Sequence, residues 1–150
     1  MFRVPDLVRK LKSSSWFGVT ASVVGTAAAT AANYPENVYV HPANADPVRL
    51  IGVRVTWTAG STSGTVDVRK IPSGTALASG TSMLSSTVAM SGTANTPISG
   101  SLATTEANLI IGAGDRIGLV AAGTLTNQTG VGITLQLQPL EFAMIPAYGA

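Results

Sequence analysis

The sequence predicts an all-β fold, an antiparallel jelly-roll sandwich of about eight strands with a short N-terminal helical arm. Three observations carry that expectation. Ser-Gly-Thr recurs at Ser63-Gly64-Thr65, Ser73-Gly74-Thr75, Ser79-Gly80-Thr81 and Ser91-Gly92-Thr93. Gly reaches positive φ without steric cost, the Ser hydroxyl bonds local backbone, and the β-branched Thr suits the start of a new strand. Short runs between and beyond these turns alternate apolar with polar residues, the period of a half-buried strand. Helical periodicity is nearly absent after residue 12.

Taken in chain order, the arm comes first. Pro5 suits the first position of a helix, and Val4, Leu7, Val8 and Leu11 fall on one stripe, with Arg9, Lys10 and Lys12 around it. Two turns are too short to persist alone in water, because nucleation is costly, so the arm is expected to pack on something. Ser13-Ser14-Ser15 then serves as a hinge. Strand signals begin at Trp16, with Phe17, Val19, Ala21 and Val23 alternating with polar or small residues, followed by Val38 and Val40 alternating with Tyr39 and His41. The strongest strand runs from Pro47 to Thr58, with Ile51, Val53, Val55 and Trp57 on one face and Arg54, Thr56 and Thr58 on the other. Val66 and Val68 oppose Asp67 and Arg69; Ile117 and Leu119 share a face; Val131, Ile133, Leu135 and Leu137 oppose Thr134, Gln136 and Gln138. Weaker strands are expected at Ser86–Met90, Thr96–Leu102 and Asn108–Ile111. One helical turn fits within Ala103–Leu109 and another within Thr26–Ala32.

Composition narrows the class. A chain of 150 residues is one domain by size, able to bury roughly 68–70% of its unfolded surface. With no cysteine there is no disulfide framework. Charged residues make up 11% of the chain, against about 25% in an average domain. So weakly charged a surface suits a protein partly covered by other subunits. The net charge of +2 is also unevenly placed. Residues 1–12 hold Arg3, Arg9, Lys10 and Lys12 against Asp6, and the rest of the chain has five basic and six acidic residues. The basic character therefore belongs to the arm. Residues 1–32 superficially resemble a secretion signal, but Thr20, Ser22, Thr26 and Thr30 interrupt the apolar run. No run is long and apolar enough to predict a membrane span.

The search for chemistry points away from an enzyme. The single histidine, His41, precedes Pro42, and without cysteine a zinc site would need carboxylates for its remaining ligands, an uncommon set. No Gly-x-Ser-x-Gly elbow occurs. Asp6, Glu36, Asp46, Asp67, Glu106, Asp115 and Glu141 are scattered, without the close pair of a glycosidase or the spacing of a calcium loop. Gly112-Ala113-Gly114 is followed by Asp115 in place of a lysine and a hydroxyl, so it is not a phosphate loop. Aromatic residues are 5% of the chain, too few to stack nucleobases in a basic groove. Arg49, Arg54, Arg69 and Lys70 are the candidates for a basic sheet-face patch, but Asp67 shares a face with Arg69 and suggests a surface ion pair. No cofactor, metal, nucleic acid or membrane partner is expected.

Two stretches together carry a resemblance. One runs from Gly92-Thr93-Ala94-Asn95-Thr96 through Ser99-Gly100-Ser101-Leu102. The other is Gly114-Asp115-Arg116-Ile117-Gly118-Leu119-Val120, closing with Gly123-Thr124-Leu125-Thr126. In this order, over roughly Pro47 to Leu140, the chain resembles the small β-sandwich structural proteins of tailed bacteriophages, the capsid decoration, cement or head-fibre proteins. A similar Gly-Asp before an inward apolar residue also occurs in trimeric jelly rolls of the tumour-necrosis-factor and complement type. The resemblance implies a non-enzymatic jelly-roll domain that forms a homotrimer, contacts the major capsid protein, and sits on the outer surface of the virion's icosahedral shell.

The expected organisation is therefore an arm over 1–15, a sandwich over 16–140 and an apolar tail over 141–150. From charge and periodicity, Arg3, Val4, Leu7, Val8, Arg9, Lys10, Leu11 and Lys12 are the capsid-docking candidates. The tail is too apolar for a free end and is expected to pack at a subunit interface or against the sandwich; Phe142, Met144, Ile145 and Tyr148 are the candidates for a subunit interface. A second expectation is a fibre or tail-tip module binding a host glycan or surface receptor. It would need exposed aromatics, for which Tyr34, Tyr39, Trp57 and Tyr148 are the candidates.

Overall fold

The computed structural model describes residues 17–26 and 37–140. The predicted helical arm and the apolar tail lie outside them, as does most of the possible turn at Thr26–Ala32. Among the described residues the fold is all-β and antiparallel. Its strands are β1 (Phe17–Thr26), β2 (Tyr39–Val40), β3 (Val48–Thr56), β4 (Thr65–Ile71), β5 (Thr81–Ser82), β6 (Val88–Ala89), β7 (Ile98–Ser99), β8 (Ile110–Ile111), β9 (Arg116–Ala122) and β10 (Thr129–Pro139). One sheet has the order β1-β10-β3-β7, with β8 also paired to β3. The other has the order β2-β9-β4-β5, with β6 also paired to β4. One helical turn, α1 (Glu106–Leu109), falls inside the stretch expected to hold one.

The core lies between the two sheets. Leu50, Val53, Val55, Val131, Ile133, Leu135 and Leu137 from the first sheet meet Val66, Val68, Ile117, Leu119 and Ala121 from the second. This is the layer arrangement that period-two alternation demands, since each sheet must bury one face against another element. In β10 the expected pattern holds throughout: Val131, Ile133, Leu135 and Leu137 are buried, and the residues between them are less so.

In β3 the phase differs from the simple alternation. Leu50, not Ile51, faces the core, and Ile51 is 37% exposed. The cause is a bulge: Gln136 pairs with Gly52 while the next residue of β10, Leu137, pairs with Leu50. Ile51 is the extra residue, and one extra residue reverses which parity points inward. Val48 and Leu50 are inward before the bulge, and Val53, Val55 and Trp57 after it. A comparable inversion occurs at β2. Tyr39 pairs with the buried Ile117 and packs on the core, His41 is buried, and Val40 is exposed.

The four Ser-Gly-Thr triplets bracket strands as expected, but they use glycine for two different reasons. Thr65 and Thr81 open β4 and β5, and the other two triplets follow β4 and β6. Only Gly74 of the four has positive φ, at 77°. At Gly64 the constraint is space, because a Cβ there would overlap Ser61 Oγ and the Leu125 side chain.

Beyond the core, the outer face of β4 is covered locally. Ile71 and Leu77 are buried outside the main cluster, where the segment after β4 folds back through a 3-10 turn (Leu77–Ser79). Arg69 anchors this cover by donating from Nη1 to the Ala78 carbonyl at 3.0 Å. It also pairs through Nε with Asp67 Oδ2 at 3.0 Å. The expected ion pair is present but is not a surface one: Asp67 is buried, and its other oxygen accepts from Ser82 Oγ at 2.7 Å. Arg49 and Arg54 lie on β3 in one sheet while Arg69 and Lys70 lie on β4 in the other, so the four do not form a patch.

Candidate functional site

The docking and interface candidates, Arg3, Val4, Leu7, Val8, Arg9, Lys10, Leu11 and Lys12 with Phe142, Met144, Ile145 and Tyr148, lie outside the described residues. The fold does fix where both segments join it. β1 and β10 are antiparallel neighbours, so the start of one lies beside the end of the other. Phe17 pairs with Leu137, and three residues on, Leu140 donates its N–H to the Pro47 carbonyl at 3.0 Å. The chain therefore enters β1 and leaves β10 at the same end of the sandwich.

That end is also where charge collects. Asp46, Asp115 and Arg116 lie in or beside its loops, and Arg49, Glu106 and Lys70 lie close to it on β3, α1 and β4. The described loops at the opposite end, residues 57–64, 90–97 and 123–128, contain no Asp, Glu, Lys or Arg. Hydroxyl, amide and glycine residues make up most of that distal surface. The two ends are thus chemically distinct, a polarity that the linear sequence hides because each end is assembled from separate loops.

At the charged end, side chains are committed to holding loops. His41 is buried, with Nε2 3.0 Å from the Asp46 carbonyl and Nδ1 2.8 Å from the Tyr39 hydroxyl. A carbonyl only accepts, so Nε2 carries the proton, and Nδ1 of the neutral ring accepts from Tyr39. Burial pushes the Tyr39 phenol above its ordinary pKa. The His41 backbone closes the same corner, donating to the Asp115 carbonyl at 2.8 Å and accepting from Gly114 N–H at 3.2 Å. Asp115 Oδ2 accepts from Gly112 N–H at 2.9 Å, so Gly-Ala-Gly-Asp is a self-bonded turn. Arg116 donates to Asn37 Oδ1 at 3.1 Å and to the Thr75 carbonyl.

Lys70 is a residue that sequence reasoning misplaced. Its parity matches Val66 and Val68, which puts it on the inward face, and its charge argues for the outward one. The conflict resolves because β4 ends there. The ammonium emerges at the open rim and donates to the carbonyls of Ala107 at 2.6 Å and Ile110 at 3.0 Å. These carbonyls belong to α1 and β8, on the opposite sheet, so Lys70 ties the two layers together. Replacing it by methionine keeps the stem and removes both bonds. Hydrogen bonds from a charged donor are worth about 1.5–3 kcal/mol, so Lys70→Met should lose about that much unfolding free energy, read as a lower urea midpoint at unchanged slope. An unchanged midpoint would mean that water serves these carbonyls equally well.

Glu106 pairs with Arg49 at 3.4 Å on the surface, and an exposed pair of this kind contributes little. Among the described residues no three His, Asp or Glu side chains come together in a metal-binding group. Trp57 is buried in the core and Tyr39 is bonded to His41, while Tyr34 and Tyr148 lie outside the described residues. No described helix is long and apolar enough to cross a membrane.

Comparison with known proteins adds little to this geometry. No family model matches the chain, and no curated protein matches it. One solved structure, from work describing how "Bacillus endospore appendages form a novel family of disulfide-linked pili", aligns over 85% of this chain and 90% of its own. The identity is 18% and the TM-score 0.42, too slight a likeness to bear on function.

Proposed function

We propose that this chain is a non-enzymatic capsid decoration or cement protein that stands on the outer surface of a phage head. The observation that carries the reading is the common exit of the two terminal segments at the charged end of the sandwich. A protein that stiffens a shell must grip it at one end and leave the other clear. Here the basic, amphipathic segment and the apolar tail start together, so both can engage the same underlying surface. Apolar residues in the arm would fill a groove while its cations meet acidic groups. Binding to the assembled shell alone stabilises it by mass action.

The jelly-roll architecture belongs to the same proposal. β5 and β6 both pair with β4, and β7 and β8 both pair with β3. Each duo is read as one interrupted strand, which leaves eight. Their order, 1-10-3-(7,8) facing 2-9-4-(5,6), supports a reading as two interleaved Greek keys. The glycan-binding alternative loses support from Trp57, an aromatic that is packed inside the core and unavailable to a sugar.

The test is sedimentation with shells of the parent particle. Removing residues 1–12 should leave a folded domain and lower shell affinity by about tenfold or more, equivalent to about 1.4 kcal/mol. Binding of the intact chain should weaken as salt rises towards about 0.5 M, because exposed charges are screened. Unchanged binding by the truncated chain would reject the docking arm, and failure of the intact chain to sediment with any shell would reject the function.

A further inference from the structure

We infer that the Asp46–Pro47 peptide bond is a self-cleavage site, at which the Asp46 carboxylate attacks its own backbone carbonyl while His41 stabilises the charge that develops on the carbonyl oxygen. Asp46-Pro47 is the one Asp-Pro pair in the chain, and its chemistry is unlike that of other aspartyl bonds. The nitrogen of a proline peptide carries no hydrogen. It therefore cannot attack the aspartate side chain, which is how an ordinary aspartyl peptide closes to a succinimide. Its additional alkyl substituent makes it take up a proton, and depart, more readily than other peptide nitrogens. The route left open is attack in the opposite sense, by the side-chain oxygen on the backbone carbonyl.

The fold supplies what that attack needs. His41 Nε2, the protonated ring nitrogen, lies 3.0 Å from the Asp46 carbonyl oxygen, the range of a donor to a developing oxyanion. The donor is fixed in advance, since the His41 side chain is buried, its Nδ1 is held by the Tyr39 hydroxyl and its backbone is bonded to Asp115 and Gly114. On the other side of the bond, the Pro47 carbonyl accepts from Leu140 N–H and β3 begins at Val48. The nucleophile is the part left free. Asp67, Glu106 and Asp115 are engaged by Arg69, Arg49 and the Gly112 N–H. Asp46 is exposed, and among the described residues no hydrogen bond or ion pair engages its carboxylate. Carboxylate and carbonyl belong to one residue, so no encounter has to be arranged. In the step itself, a carboxylate oxygen bonds to the Asp46 carbonyl carbon, and the carbonyl electron pair moves to the oxygen that His41 holds. Collapse re-forms the carbonyl as a cyclic anhydride and breaks the bond to Pro47, whose nitrogen takes a proton from solvent. Water reaches the exposed anhydride and opens it to two carboxyl groups, so the sum is hydrolysis of one peptide bond. The pieces stay together afterwards, because β1 pairs along β10 and β2 with β9, and the cut shows only in denatured chain.

The test uses the full chain, held in a mildly acidic buffer in which circular dichroism shows it folded, and reads denatured samples by mass spectrometry over time. Wild type should yield two fragments, residues 1–46 and 47–150. Asp46→Ala removes the nucleophile and should stay whole. His41→Leu removes the oxyanion donor and should slow the cut by about a hundredfold or more. Wild-type chain unfolded in urea at the same pH loses the same donor and should slow likewise, a comparison that stands even where His41→Leu does not fold. A wild type that stays whole overturns the inference, as does a cut at another bond or a cut Asp46→Ala. So does a rate in urea equal to that of the folded chain, which would be the ordinary acid lability of the bond, or a folded His41→Leu that cuts as fast as wild type.

Discussion

Leu135→Asp should unfold the domain, while Gln136→Asp should leave it folded. Leu135 has no exposed surface and sits in the middle of β10, between Val19 of β1 and Val53 of β3. Removing a buried leucine costs about 2–5 kcal/mol through lost contacts and the cavity left behind. Ionised carboxylate in that place adds several more, because no cation or donor lies in an all-apolar layer to compensate it. A domain of this size has about 5–15 kcal/mol in total, so the combined loss consumes most or all of it. Gln136 is the adjacent residue with the opposite parity, on the outer face. The same experiment reads the bulge in β3: Leu50→Asp should unfold the protein and Ile51→Asp should be tolerated. Circular dichroism and a thermal scan distinguish the outcomes. Folded Leu50→Asp with unfolded Ile51→Asp would invert the faces assigned to the first half of β3.

That contrast marks how far the sequence is legible. β4, β9 and β10 are regular, so period two predicts their faces directly, and the buried rows Val66–Val68, Ile117–Leu119 and Val131–Leu137 follow. β3 is interrupted, and alternation counted back from Trp57 passes through the bulge and lands on Ile51. The local signal was Leu50-Ile51-Gly52, two adjacent apolar residues followed by a glycine, which no strict alternation accommodates. At β2 hydropathy misleads because Tyr39 and His41 satisfy each other's polar atoms and Asp46 supplies the last partner. Thr81–Ser82 is too short for any periodic signal, and its pairing with β4 is a tertiary fact. The charge polarity of the two ends is likewise invisible in one dimension. Uncharged runs at 57–64, 90–97 and 123–128 are plain in the sequence, but only the strand order brings them to one end.

Trp57→Ala should lower the melting temperature by about 10 °C or more and loosen the distal loops before the rest of the domain. The side chain is 1% exposed, and truncating a buried tryptophan costs about 3–5 kcal/mol. For a domain near this size each kcal/mol is worth about 2–4 °C. The position explains why the loss is local first. Trp57 follows β3 directly and leads into the distal loops. Its indole Nε1 donates to the Gly92 carbonyl at 3.3 Å, and its own carbonyl accepts from Asn95 N–H at 2.7 Å. Met90 continues the clasp, accepting from Ser61 N–H at 3.0 Å through its carbonyl and contacting the buried Gln128 amide through its sulfur at 2.9 Å. Three chain segments that share no strand are thereby held as one unit around a single indole. Hydrogen exchange at Asn95 and Ser61 should accelerate in the variant at temperatures where amides of β10 remain protected. Equal acceleration everywhere would mean that the distal loops and the sandwich open together, and that Trp57 contributes only to the common core.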